Sequence, residues 1–397
     1  MSGQDYSIEQ RARRRRKRRR QVMIRRIIAL LILILLIFLL IRGVIAIAHL
    51  ISKKAAAKSA EKPVTQSAEQ KEEPAGDTEE AGIAPAEITM SFTGDIILGM
   101  HQNAAYDTSM CAYYDKNGPD YFLQNVQGIF ADDDLTVINF ESTLTEETEH
   151  KNQKFVFKAP PEYIDIIKGK SIEAANMANN HSSDYGEKSY EDTISALEGA
   201  GIRHFGFEDT AVFTVKDVKV GIFGIYELDE YGGIAPEVTK RIDELKQEEC
   251  DIIVGIFHWG YEYRTCPDQD QVNLGHQAID EGADLVVGHH PHIIEGIEYY
   301  NGKPIVYSLG NFCFGGNKNP SEKDTMIYRI TFRTDENAKV TGWQDEIVPT
   351  WISSTTAYND YQPVPMGEED AAAYLEKLTE RSNEIKTNFN AEKVYGD

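Results

Sequence analysis

The sequence is short of cysteine: four among 397 residues, too few for a disulfide-built scaffold. No two of them have the spacing of a zinc site, which excludes thiolate coordination of the zinc-finger kind. No internal repeat is visible, which excludes a solenoid or propeller. Ser52 to Glu87 contains no aromatic residue. Rich in Ala, Glu, Lys, Pro, Thr and Gly, that stretch cannot bury enough surface to fold, so residues 52–86 read as a disordered, flexible linker. Positive charge is scarce in the body of the chain. Residues 1–54 hold 14 of the 41 Lys and Arg and only 2 of the 64 Asp and Glu. The remainder carries 27 basic against 62 acidic side chains, a net charge of −35. Such a body excludes nucleic acid as a partner, since that calls for a basic face. It also repels anionic polymers, except where a metal or local cations reverse the field.

The start of the chain is the opposite in character. Arg11 to Arg20 is almost wholly Arg and Lys, Arg25 and Arg26 follow, and Ile27 to Ile41 is an unbroken apolar run. With Arg42 snorkelling at one interface, residues 27–48 reach the ~20 residues needed to span a bilayer. The basic block sets the orientation: residues 1–26 form a cytoplasmic tail and the body lies outside the cell. The expectation is a single-pass cell-membrane protein with an uncleaved anchor and an extracellular main domain. A cleaved signal peptide is the alternative, disfavoured because no small-residue cleavage site closes the apolar run.

From Ile88 onward, strand-like and amphipathic helical runs alternate, which predicts an α/β domain. Strands are expected at Ile88–Ile97, Leu135–Phe140, Ile172–Ala178, Val218–Ile225, Asp251–Phe257 and Leu285–Val287. Helices are expected at Tyr121–Phe130, Pro161–Ile167, Tyr190–Leu197, Val238–Leu245 and Val272–Ile279. Asn301-Gly302 between two short apolar runs predicts a hairpin. Met326–Phe332 and Val340–Pro349 predict a further antiparallel pair. Residues 353–397 form a C-terminal extension with a helix from Glu368 to Ile385.

Polar residues gather just past the strands. They are Asp95; Asn139 and Glu141; Asn179, Asn180, His181 and Asp184; His258 and Glu262; and His289, His290 and His292, with Asn311 further on. Five of the ten histidines fall at three of these ends. Ligands in α/β sheets bind beyond the carboxyl ends of strands. Mixed Asp, Glu, Asn and His ligands suit Mn, Fe or Zn better than Ca²⁺ or Mg²⁺. On extended backbone, His290 points away from His289. Cys111 and Cys266 lie in polar loops and are the expected pair if a disulfide forms; Cys250 and Cys313 border apolar runs and are expected to be buried.

In order, Gly94-Asp95, Asn139-Phe140-Glu141, Ala178-Asn179-Asn180-His181 with Asp184, His258-Trp259-Gly260 with Glu262, Gly288-His289-His290-Pro291-His292 and Tyr307-Ser308-Leu309-Gly310-Asn311-Phe312 resemble the motifs of the CapA-type poly-γ-glutamate capsule-biosynthesis family. The resemblance spans residues 87–352. It implies a domain similar to calcineurin-like metallophosphoesterases, a β-sandwich flanked by helices with a two-metal site. It further implies a role in making or exporting an anionic γ-linked glutamate polymer, alongside membrane proteins of a synthase complex. Carried over residue by residue, Asp95, Glu141, Asn180, His258, His289 and His292 match metal ligands for one or two divalent ions. His181, with Asp184, matches the acid/base or electrophilic group. Asn139, Asn179, Glu262, His290 and Asn311 are accessory positions. Two departures stand out: Ile97 occupies the position of a usual ligand histidine, and Glu141 replaces an aspartate. Two rival readings are an envelope hydrolase of another substrate and a non-catalytic polymer-binding module.

Overall fold

The computed structural model describes residues 84–228 and 233–397. The basic segment, the expected membrane anchor and the expected linker as far as residue 83 lie outside the described residues. Among the described residues, no helix is long and apolar enough to cross a membrane.

Two sheets carry the architecture. The first has eight strands, in the order β17 (Val364–Pro365), β16 (Val340–Trp351), β15 (Asp324–Thr334), β1 (Glu87–Ile97), β3 (Leu135–Phe140), β6 (Ala174–Asn176) and β7 (Arg203–Phe205), with β14 (Asn311–Phe314) pairing beside the end of β1. The second has six, in the order β12 (Ile297–Tyr300), β13 (Lys303–Val306), β11 (Leu285–His289), β10 (Ile252–His258), β9 (Val218–Tyr226) and β8 (Thr210–Val215). A small sheet of β2 (Met100–His101), β5 (Phe157–Ala159) and β4 (Thr143–Leu144) sits apart. The run β1-β3-β6-β7 is parallel, as is β9-β10-β11-β13, while β1-β15-β16-β17 is antiparallel.

Side-chain alternation explains why the sheets stack. Ile88, Met90 and Phe92 of β1 and Leu135 and Val137 of β3 share one buried core with Val220 and Ile222 of β9, Ile252, Val254 and Ile256 of β10, and Leu285 and Val287 of β11. The residues between them face outward under helices. Ile138 and Phe140 meet Leu197 of the helix Glu187–Gly199. Ile253, Phe257 and Val286 meet the helices Ala235–Gln247 and Gln269–Asp280. Strands that bury both faces read as continuous apolar runs, as parallel strands do. The result is an α/β sandwich flanked by helices.

Several elements differ in detail from the sequence reading. Tyr121–Phe130 is two short turns, Asp120–Leu123 and Gln127–Phe130, parted where Val126 leaves helical backbone at φ −120°. Pro161–Ile166 is a 3₁₀ helix. All four cysteines are free: Cys111 lies within the helix Met110–Asn117 and Cys250 is only partly buried, while Cys313 is fully buried. The Asn301-Gly302 hairpin forms, with both residues at positive φ.

Candidate metal centre

The alternation that builds the inter-sheet core also builds the site. Counting by twos, Asn139 continues the inner face of β3, Asn176 that of β6, His258 that of β10 and His289 that of β11. The apolar layer therefore turns polar at the carboxyl ends of the strands. On β1 the register shifts between Phe92 and Asp95, which sets Asp95 opposite Asn139 and Asn311. Gly94 permits this approach, since a Cβ there would lie 2.3 Å from the Gly310 carbonyl oxygen.

Asp95 is fully buried and saturated with hydrogen bonds. Its Oδ1 accepts from Asn139 Nδ2 at 2.9 Å and lies 2.9 Å from His289 Nδ1. Its Oδ2 accepts from the His290 backbone at 3.3 Å and lies 3.1 Å from His292 Nδ1. Burial pushes its carboxyl up, but the bonds and charges of His289 and His292 outweigh that and hold it well below the usual carboxylate range. Asn176 donates to Asn139 Oδ1 at 3.0 Å, which completes a relay of side-chain amides under Asp95.

Glu141 is the opposite case. It is equally buried, yet neither carboxylate oxygen has a hydrogen-bond partner. Burial, and then the charge of Asp95, raise its carboxyl well above the normal value. A buried polar group without a partner costs about 1–3 kcal/mol, and more if charged. Around it stand His258 Nε2 at 3.6 Å and His292 Nε2 at 3.9 Å from Oε1. Two sets of potential ligand atoms lie mutually within 4.8 Å: Glu141, His290 and His292, and Asp95, Glu141 and His258. Glu141 belongs to both.

His290 reaches this cluster because the chain there is not extended. Its φ is 95° and that of His292 is 58°, conformations that cost of the order of 1–3 kcal/mol in non-glycine residues. The turn brings the His290 ring to 4.9 Å from that of His258, with Nδ1 buried and unpartnered. Burial, and then His292, lower its pKa to about 3. Burial pulls His292 in the same direction, but Glu141 and Asp95 together raise it to about 9. Burial, and then His290, hold His258 well below the usual histidine range. The downward shifts favour in His258 and His290 the neutral imidazole that metal coordination requires, whereas the upward shift favours protonated His292.

The remaining residues surround this centre. Asn180 Oδ1 lies 2.8 Å from His258 Nε2. Asn179 is structural: it donates to the Phe140 carbonyl at 2.9 Å and accepts from the His181 backbone at 3.1 Å. His181 Nδ1 sits 2.7 Å from Asp184 Oδ2, and its ring packs edge-on against Phe157 at 4.7 Å. Asp184 also accepts from the Phe157 backbone at 2.7 Å, so it faces the His181 ring and the small sheet rather than the cluster. Asn311 clasps His292, donating to its carbonyl at 2.9 Å with Oδ1 3.1 Å from Nδ1. Glu262 is exposed and acts on Glu141 and His292 only through its charge.

Residues 89–316 match the bacterial capsule synthesis protein family PGA_cap. The chain is 30% identical over 248 residues to the PGA biosynthesis protein CapA of Bacillus subtilis, covering 57% of this chain and 63% of that protein. It is 31% identical over 253 residues to the capsule biosynthesis protein CapA of Bacillus anthracis, covering 57% and 60%. A probable polyglutamine synthesis accessory protein of Mycobacterium tuberculosis is 29% identical over 45% of this chain and 55% of its own length. The matched region thus spans about three fifths of the two bacillar relatives. On the extent of the match and the ordered motifs that form its centre, this chain belongs to the bacterial capsule synthesis family PGA_cap.

Proposed function

We propose that this chain acts in poly-γ-glutamate capsule synthesis or export, anchored by residues 27–48 with its body outside the cell, and that its centre holds one or two divalent cations of Mn, Fe or Zn. The names of the bacillar relatives support the capsule role. The basic-then-apolar N-terminus supports the topology. One observation carries the cation: a fully buried Glu141 carboxyl group with no hydrogen bond to either oxygen, its Oε1 3.6 Å from His258 Nε2 and 3.9 Å from His292 Nε2.

The residues present fit a cation. His292 directs Nδ1 to Asp95 and leaves Nε2 towards Glu141, the division of labour usual in a metal-bound histidine. Glu141, His290 and His292 are the set that could take an ion, with His292 giving up its Nε2 proton on binding. Asp95 has its acceptors filled, so the set of Asp95, Glu141 and His258 would hold a second ion only if those bonds are released. A bound cation would supply Lewis acidity and lower the pKa of a bound water. His181 is the proton-handling group, with Asp184 fixing Nδ1 and leaving Nε2 to hold or give a proton.

Elemental analysis of the purified chain tests this directly. The native protein is expected to hold one or two equivalents of Mn, Fe or Zn, and Glu141→Gln to hold none. With metal shown, γ-glutamyl polymers and phosphoesters are assayed with and without chelator, and with His181→Ala. Loss of turnover in both cases supports hydrolysis. Polymer binding by the metal-loaded native chain without turnover, unchanged in His181→Ala, identifies a binding module instead. No metal after refilling with each ion overturns the cation centre.

A further inference from the structure

The helix Glu368–Phe389 lies beyond the stretch that matches the capsule synthesis family. None of the centre's residues comes from it, yet its buried side is polar where it meets the chain just after His292. Arg381 is only 8% exposed and Ser382 is fully buried. Arg381 Nη1 donates to the Ile294 carbonyl. The guanidinium also grips Glu322 with two parallel bonds, Nη1 to Oε1 and Nη2 to Oε2, each 2.8 Å. Glu322 Oε1 in turn accepts from the Ile294 backbone at 3.4 Å. Both backbone groups of Ile294 therefore end on one ion pair. Ser382 Oγ accepts from the Ile297 backbone at 3.0 Å, and Gly296 sits so close that a Cβ would lie 2.6 Å from Ser382 Cα.

The centre needs such a hold. His290 and His292 both have positive φ, which side chains with a Cβ avoid. A loop free to relax would leave that geometry and carry both rings away from Glu141. Asn311 and Ser308 secure the near end, through the His292 carbonyl at 2.9 Å and the Ile293 carbonyl at 2.8 Å. The far end is held on one side by backbone bonds, Glu295 N–H to the Ser308 carbonyl at 3.1 Å and Tyr307 N–H to the Gly296 carbonyl at 3.2 Å, and on the other by the C-terminal helix and its Glu322 partner, which take both backbone groups of Ile294.

We propose that Arg381 is a positioning residue which, through Glu322 and Ile294, locks His290 and His292 in place, making the C-terminal helix part of the cation centre. The functional meaning rests on the cation reading above; the lock itself does not. Lysine cannot replace it fully, because an ammonium lacks the planar fork that grips a carboxylate with two bonds.

The test uses the full-length chain with Arg381→Met, Arg381→Lys, Glu322→Gln and, as a control on the same helix, Lys377→Met, which removes the pair with Asp324. Amide hydrogen exchange is followed over residues 289–297 and Mn²⁺ and Zn²⁺ are titrated separately. Arg381→Met is expected to raise exchange in 289–297 while Ile252–His258 stays protected, and to weaken ion binding about tenfold or more. Arg381→Lys is expected to recover part of both, and Lys377→Met to change neither. Native-like protection of 289–297 in Arg381→Met, or an equal effect from Lys377→Met, overturns the proposal. If Arg381→Met does not fold, Glu322→Gln is read by the same criteria. If the native chain binds neither ion, the cation reading fails, and exchange alone decides the lock.

Discussion

Glu295 shows what one buried carboxylate does to the pH response. It is fully buried, accepts from Gln271 Nε2 at 2.9 Å through Oε2, and has no partner at Oε1. Burial raises its pKa to about 8, from an ordinary 4.5. Below pH 4.5 both the folded and unfolded chains keep this proton, so it adds no pH dependence there. Between about pH 5 and 8 the unfolded chain has released it and the folded chain has not, so stability falls as pH rises and the loss is complete above about 8. The total is on the order of a few kcal/mol, since each pKa unit is worth about 1.4 kcal/mol. Thermal melts of the metal-free chain should show this decline, and Glu295→Gln should flatten it; an unchanged slope in the variant would rule Glu295 out as its source. At this scale the sequence was partly legible. Asp95, Asn139, Glu141, His258 and His289 could be placed because each follows an apolar strand. The inward turn of His290 could not, because extended backbone was the only geometry on which to place it. Asn176 carried the inner-face parity of β6 but looked like one asparagine among several. Glu262 was close in sequence to His258, yet lies on an exposed turn where no element holds its side chain.

At the scale of elements, β11 depends on having no side chain at Gly288. A Cβ there would lie 1.9 Å from the Tyr307 carbonyl oxygen and 2.4 Å from Trp259 Nε1, the two atoms joined by a 2.9 Å hydrogen bond. Gly288→Ala must force β11, the Trp259 turn and the end of β13 apart, at a cost of about 1–3 kcal/mol or more. The displaced strand carries His289 and leads into His290, so ion binding should fall with the melting temperature. Gly342→Ala, where a Cβ meets nothing within 4 Å, is the matched control and should leave both near native values. Equal behaviour of the two variants in melts and ion titration would show that the close approach relaxes freely. The strands β1, β3, β9, β10 and β11 were legible because apolar runs bounded by polar tips allow little else. Strands β7 and β8 were not: β7 has three residues, and both are only partly buried. The helix Met110–Asn117 was also missed, since it buries only Met110 and so shows little apolar periodicity. The C-terminal helix was legible as a helix. Its attachment was not, because a buried Arg and Ser give no apolar signal.

The whole molecule joins a basic N-terminal segment to an acidic body of net charge −35, and that asymmetry makes its dealings with a polyanion depend on orientation. A chain in detergent exposes both parts. Poly-γ-glutamate would then find the arginine block, and its binding should weaken as salt screens that attraction. A chain reconstituted in vesicles with the body outward presents only the acidic part. Repulsion reaches roughly 30 Å at 0.01 M salt and about 8 Å at 0.15 M, so adding salt should strengthen polymer binding at the centre instead. The sign of the salt dependence therefore reports which end the polymer meets. Co-sedimentation of labelled polymer with such vesicles at the two salt concentrations measures it. Stronger binding at 0.15 M is expected for a body that captures polymer at a local cation centre against its own field. Weaker binding at 0.15 M would mean that attraction at a basic surface governs the encounter, either from a tail exposed on the same side as the body or from a cationic track on the body strong enough to overcome its net charge. Trypsin treatment of the intact vesicles separates these two, since it removes an accessible arginine block before the polymer is added.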